Sequence, residues 1–121
     1  MKKTILSVDD MPEILAGVKA ALKEHYNVFG VTGAAEAMKF LLTHKPDLFI
    51  LDIDMPLIDG YDTATLIRMD ENHAATPIIF LTSNVTRGHV MRAIEVGAND
   101  YLVKPIDHSL LLEKMQKILN P

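Results

Sequence analysis

Short, uniformly apolar runs alternate along this chain with stretches whose apolar residues recur every three or four positions. Polar punctuation stands at nearly every join. Residues 4–8, Thr4-Ile5-Leu6-Ser7-Val8, read as a strand ending at Asp9-Asp10. Pro12 suits a first helical position, where an N–H would have no partner anyway, and Ile14, Leu15, Val18, Ala21 and Leu22 form a helical stripe. Residues 27–31 make a second, weaker strand. Gly33 opens a helix with Glu36 three residues on, and Ala37, Met38, Leu41 and Leu42 are expected on its buried face. Residues 47–51, apolar from Leu48 onward, suit a strand covered on both faces, and a polar loop over 52–60 follows. A helix is expected over 61–70. Pro77 introduces another two-sided strand at 78–81, ending in Thr82-Ser83-Asn84. The next helix, 86–96, stops at Gly97, which suits the left-handed position past a helix end. Tyr101-Leu102-Val103 is a fifth strand closed by Lys104-Pro105, and Asp107 can cap a last helix carrying Leu111, Met115 and Ile118.

Five strands and five helices in alternation predict an α/β fold, a parallel sheet with helices on both faces and right-handed crossovers. At 121 residues the chain has the size of one domain, read as 1–121. Hydrophobic residues at 49% and charged residues at 23% supply one continuous core. With no cysteine, disulfides, thiolate metal sites and thiol catalysis are excluded. The net charge is −4, and the lysines are scattered, so no basic face is available for direct nucleic-acid binding. No run approaches a membrane span. The apolar run after Lys2-Lys3 ends in two aspartates after five residues, too soon for an export signal, so a cytoplasmic location is expected.

The informative feature is where the polar residues fall. Asp9-Asp10, Asp52, Thr82 and Lys104 each stand immediately after an apolar strand. In an open parallel sheet the carboxyl ends of all strands share one edge, which is where such folds bind ligands. Carboxylates gathered there repel, by about 3 kcal/mol for a pair ~5 Å apart at an effective dielectric near 20. A cation or a shared proton must compensate. All-oxygen ligation suits Mg²⁺, which takes few protein carboxylates and keeps waters. Lys104 and the Thr82 hydroxyl are then left over, and a cation with a hydroxyl donor beside Mg²⁺ is what phosphoryl oxygens need. With no Ser, Cys or His in the cluster, the nucleophile is expected to be a carboxylate.

Taken singly, these features have ordinary readings: a solvated turn, a surface Lys-Pro, a strand-end Thr. Together they resemble the receiver domains of two-component response regulators. The resemblance rests on Asp9-Asp10, on Leu51-Asp52-Ile53-Asp54-Met55-Pro56 followed by Asp59-Gly60, on Leu81-Thr82-Ser83, and on Asp100-Tyr101-Leu102-Val103-Lys104-Pro105. It covers essentially the whole chain and implies a flavodoxin-like, doubly wound sheet of order 2-1-3-4-5. It implies Asp52 as phosphoacceptor. Mg²⁺ would be held by Asp10, the Asp52 carboxylate and the Asp54 backbone carbonyl, with Asp9 acting mostly through water. Lys104 would pair with the phosphoryl group and Thr82 would hydrogen-bond it, while Tyr101 swings inward as Thr82 moves. The Lys104–Pro105 bond is expected to be cis. Asp54 and Asn84 flank the site where the family varies, and are expected to tune phosphoryl lifetime.

The resemblance also implies a histidine kinase or phosphotransfer protein as donor within a phosphorelay. The protein would act as a signalling switch catalysing only its own phosphorylation and slow dephosphorylation. Its output face would comprise the fourth helix, fifth strand and last helix, directed at a downstream protein or effector domain. Leu110, Leu111, Leu112 and Leu119 give that last helix a wide apolar band, open to burial, to a partner patch or to a homodimer formed on activation. Two rival readings remain. Asp52-Ile53-Asp54 also resembles the nucleophile and acid/base pair of haloacid dehalogenase-type phosphohydrolases, but there the acidic pair follows the Asp-x-Asp, and 121 residues leave no room for a cap domain. A receiver-like module that binds without being phosphorylated would have lost one of Asp10, Asp52, Thr82 or Lys104, and all four are present.

Overall fold

The computed structural model describes residues 2–120; Met1 and Pro121, the ends of the 1–121 domain reading, lie outside the described residues. The chain runs β1 (Thr4–Val8), α1 (Pro12–Leu22), β2 (Asn27–Val31), α2 (Ala34–Phe40), β3 (Leu48–Asp52), α3 (Gly60–Met69), β4 (Ile78–Thr82), α4 (Arg87–Glu95), β5 (Asp100–Val103) and α5 (His108–Leu119). All pairings are parallel and the strand order is β2-β1-β3-β4-β5, as the resemblance implied. β3 and β4 are buried along their whole length, in keeping with their unbroken apolar sequences.

Strand alternation sorts the core into two layers. Ile5, Leu48, Ile50, Ile79, Leu81 and Leu102 pack with Val18 and Leu22 of α1 and Leu111, Met115 and Leu119 of α5. Leu6, Val8, Phe49, Leu51, Ile78 and Phe80 face the other way, onto Ala37 of α2, Ala64 and Ile67 of α3 and Ala93 of α4. Successive residues of β1, β3 and β4 therefore feed opposite layers, as a period of two requires. The sheet is clamped between α1 and α5 on one side and α2, α3 and α4 on the other, leaving its carboxyl edge open.

One expectation is corrected. Leu42 is 82% exposed, not on a buried face, because α2 ends at Phe40. The N–H of Leu42 bonds the Lys39 carbonyl in a tighter turn that carries the side chain outward. A short 3₁₀ turn, Glu71–His73, follows α3. Its His73 is buried edge-on against Phe49, and Arg68 ties it down by donating to the carbonyls of His73, Thr76 and Gly97. The apolar band of α5 is mostly core: Leu111 and Leu119 are buried and Leu112 packs against the same layer, leaving Leu110 exposed. Capping follows the sequence, with the Asp107 carboxylate accepting from the Leu110 N–H, Pro12 at the start of α1 and Gly97 at φ 79° after α4. No helix among the described residues is long and apolar enough to cross a membrane.

Candidate functional site

Each strand end delivers its polar residue to one edge. The register sets Val8 beside Leu51 and Asp52 beside Leu81, so the residues following β1 and those closing β3 and β4 lie next to one another. Asp9, Asp10 and Asp52 each offer a carboxylate oxygen to a cluster whose atoms all lie within 4.8 Å of one another. Asp9 and Asp52 are fully buried and Asp10 is half-buried. Lys104 reaches in from the β5–α5 connection, its Nζ 2.8 Å from Asp52 Oδ1 and 3.6 Å from Asp9 Oδ2. The Lys104–Pro105 bond that precedes this connection is cis.

Burial dominates the electrostatics. It raises the Asp52 carboxyl from an ordinary 3.8 to about 6, and the hydrogen bond from Lys104 only partly opposes this. The neighbouring Asp9 charge pushes the same way as burial. Asp9 is likewise raised, chiefly by burial, against the Met11 N–H and the Lys104 charge, which lower it. Burial opposes the charge on Lys104, but its hydrogen bond to Asp52 and the two carboxylates outweigh that and hold the ammonium above its usual range. One cation thus faces a three-carboxylate cluster.

The lone pairs show what the cluster can hold. Asp52 Oδ1 accepts from Lys104 and, at 3.3 Å, from the Asp54 N–H, whereas Asp9 Oδ1 accepts from the Met11 N–H. Asp52 Oδ2 and Asp9 Oδ2 are buried without any hydrogen-bond partner. Buried carboxylate oxygens are costly in that state. Oxygen-only donors, surplus negative charge and two orphaned oxygens together fit a hard divalent cation held by Asp9, Asp10 and Asp52.

The remaining site residues fall around this cluster. Thr82 ends β4 with its hydroxyl engaged by the Asn84 main chain: Oγ1 donates to the Asn84 carbonyl at 2.9 Å and accepts the Asn84 N–H at 3.0 Å. The Asn84 side chain accepts from the Thr86 N–H, at the start of α4. Asp54 is exposed and its Oδ2 accepts from the Ser83 hydroxyl at 2.9 Å. Tyr101 is 37% exposed and faces outward. Between it and Thr82 lies a cavity of about 10 Å³, also lined by Tyr61, His89 and Ala93, too small to take a phenol ring as it stands.

Two structural features beside the site were not read from the sequence. Ser83 appeared only as part of a motif, yet it bridges two loops. Gly60 likewise stood only beside Asp59 in a motif, yet a Cβ there would collide with the Asp52 carbonyl oxygen and lie 2.6 Å from Ile53 Cα. Its N–H bonds the Ile53 carbonyl at 2.9 Å, so α3 begins hard against the backbone that presents Asp52. Asp59, capping α3 through the Asp62 N–H, completes that junction.

The chain is similar to known proteins in sequence and fold. The chain is 33% identical over 116 residues to the sensory transduction protein BceR of Halalkalibacterium halodurans, a match covering 95% of this chain and 49% of that protein. It spans about half, or less, of the first curated relatives it matches. Chemotaxis protein CheY4 of Vibrio cholerae superposes with a TM-score of 0.93 at 28% identity, covering 98% of this chain and 99% of that one. The receiver domain of a sensor histidine kinase from Pseudomonas aeruginosa PAO1, described with magnesium coordinated in its active-site cleft, gives a TM-score of 0.88 at 30% identity with both chains fully covered. The model of the response regulator receiver domain matches residues 5–116, and the chain belongs to that family.

Proposed function

We propose that Asp52 accepts a phosphoryl group from the phosphohistidine of a histidine kinase or phosphotransfer protein, with Mg²⁺ held by Asp9, Asp10, Asp52 and the Asp54 carbonyl. The observation that carries this reading is the pairing of a buried Asp52, bound by Lys104 at 2.8 Å, with a second oxygen left free of hydrogen bonds. The Asp52 carboxylate attacks phosphorus through one of its oxygens, the bond from phosphorus to the donor nitrogen breaks, and its electron pair returns to the imidazole. Bound Mg²⁺ would neutralise the carboxylates and draw in the phosphoryl oxygens. Lys104 then shifts its ammonium toward the new phosphoryl oxygens, a charge-assisted contact stronger than a neutral one.

The Thr82 hydroxyl is held by the Asn84 main chain in the unphosphorylated protein. A phosphoryl dianion at Asp52 offers it a better acceptor. Turning it inward releases the start of α4, and displacement of α4 would enlarge the small cavity enough for Tyr101 to enter. The α4-β5-α5 surface is then the output face, acting on a partner or on an effector domain of a longer protein. Incubation with acetyl phosphate and Mg²⁺ should add one phosphoryl mass to the protein. Asp52→Asn should gain none, and Asp10→Asn should need much more Mg²⁺. Full phosphorylation of Asp52→Asn would refute the reading.

A further inference from the structure

We propose that Ser83 is a positioning residue that fixes the Asp54 carboxylate for the water that removes the phosphoryl group from Asp52, an inference resting on the phosphoacceptor reading above. The Ser83 hydroxyl donates to Asp54 Oδ2 at 2.9 Å, joining two loops whose residues are 29 apart in sequence. Asp54 is anchored from below as well, its N–H directed at Asp52 Oδ1. Ser83 directly follows Thr82, the last residue of β4, and Leu81 pairs with Asp52 in the sheet. A hydroxyl and a carboxylate from adjacent strand ends therefore meet beside the acceptor. Both residues are exposed whereas Asp52 is buried, so they stand on its solvent side.

Water must come from that side. In the hydrolysis, a new bond forms from the water oxygen to phosphorus, and the bond from phosphorus to Asp52 breaks with its electron pair returning to the carboxylate. The water proton passes to the Asp54 carboxylate and on to solvent, and inorganic phosphate leaves. An untied carboxylate on an exposed loop samples several rotamers. Holding Oδ2 leaves Oδ1 able to accept from water in a narrow range of positions, and such positioning lowers the barrier by restricting motion in advance. Asn84 is occupied elsewhere: its Oδ1 accepts from the Thr86 N–H, so its side chain acts on the start of α4 and not on Asp54.

The wild type, Ser83→Ala, Ser83→Thr, Asp54→Ala and the double variant Ser83→Ala/Asp54→Ala are loaded with acetyl phosphate and Mg²⁺. After donor removal, loss of the phosphoryl group is followed by intact mass. Ser83→Ala should slow the loss about three- to tenfold, the scale of one hydrogen bond. Ser83→Thr, which keeps the hydroxyl, should restore the wild-type rate. Asp54→Ala should slow it at least as much, and adding Ser83→Ala to Asp54→Ala should change nothing more. Unchanged or faster loss in Ser83→Ala, or an equal effect of that substitution in both backgrounds, overturns the proposal. Failure of the wild type to take up a phosphoryl group contradicts the phosphoacceptor reading itself, and this inference with it.

Discussion

Removing the charge of Asp52 should stabilise the metal-free protein, although it breaks a 2.8 Å ion pair. Burial raises the Asp52 carboxyl from 3.8 to about 6 even with Lys104 in place, so the fold favours the neutral form. A folded value above the unfolded one means that the stability contribution is complete below about pH 4 and is lost as pH rises through about 6. A shift of about two units corresponds to roughly 3 kcal/mol at neutral pH. Asparagine keeps the shape and can still accept from Lys104, but carries no charge to desolvate. Asp52→Asn should therefore unfold about 9–15 °C higher than wild type at about pH 7.5, since ~1 kcal/mol moves the midpoint of a domain this size by roughly 3–5 °C. The gap should close toward about pH 4, where wild-type Asp52 is protonated. Thermal melts followed by circular dichroism, in chelator and across that range, measure it. Adding Mg²⁺ should narrow the gap at neutral pH by stabilising the wild type more than the variant. A variant less stable than wild type at every pH would mean that the Lys104 pair outweighs burial, and the electrostatic account of the site would fail.

Gly60→Ala should destabilise the fold by about 2–3 kcal/mol, because its methyl would overlap the Asp52 backbone; chemical denaturation reads this directly, and a change below ~0.5 kcal/mol would refute the close approach. Leu57, fully exposed at φ 68°, pays the left-handed penalty without burying its side chain, so Leu57→Gly should gain up to about 1 kcal/mol in the same assay. Thr82→Ala should still be phosphorylated, yet a beryllofluoride mimic should shift NMR resonances of α4, β5 and α5 far less than in wild type; equal shifts in both would refute the coupling.

The unbroken apolar runs Leu48–Leu51 and Ile78–Leu81 made the central strands legible, because burial on both faces leaves no position for a polar residue. The site was legible for the same reason: the first polar residue after each such run must lie at the open edge, which located Asp9, Asp10, Asp52, Thr82 and Lys104. What escaped lies in loop conformation and side-chain direction. Leu42 has the right spacing for the face of α2, but the helix stops two residues before it. The bond from the Thr82 hydroxyl to the Asn84 carbonyl and the Ser83 to Asp54 bond depend on loop conformation, which periodicity along the chain does not encode. Gly60 is an ordinary turn residue in sequence, and only the proximity of the Asp52 backbone shows why a side chain is excluded there. The Arg68 clamp on three carbonyls likewise joins segments whose meeting is a tertiary fact.

On the proposed reading the carboxylate of Asp52 becomes an acyl phosphate. Acyl phosphates are reduced by borohydride to alcohols, whereas free carboxylates are not, so reduction marks the acceptor permanently. Wild-type protein treated with acetyl phosphate and Mg²⁺, then reduced, digested and sequenced by mass spectrometry, should carry homoserine at position 52 and an unmodified side chain at Asp9, Asp10 and Asp54. Omitting the donor or chelating Mg²⁺ should abolish the mark. Homoserine at another aspartate, or a phosphoryl group retained on a Ser, Thr or His with position 52 intact, would contradict the account.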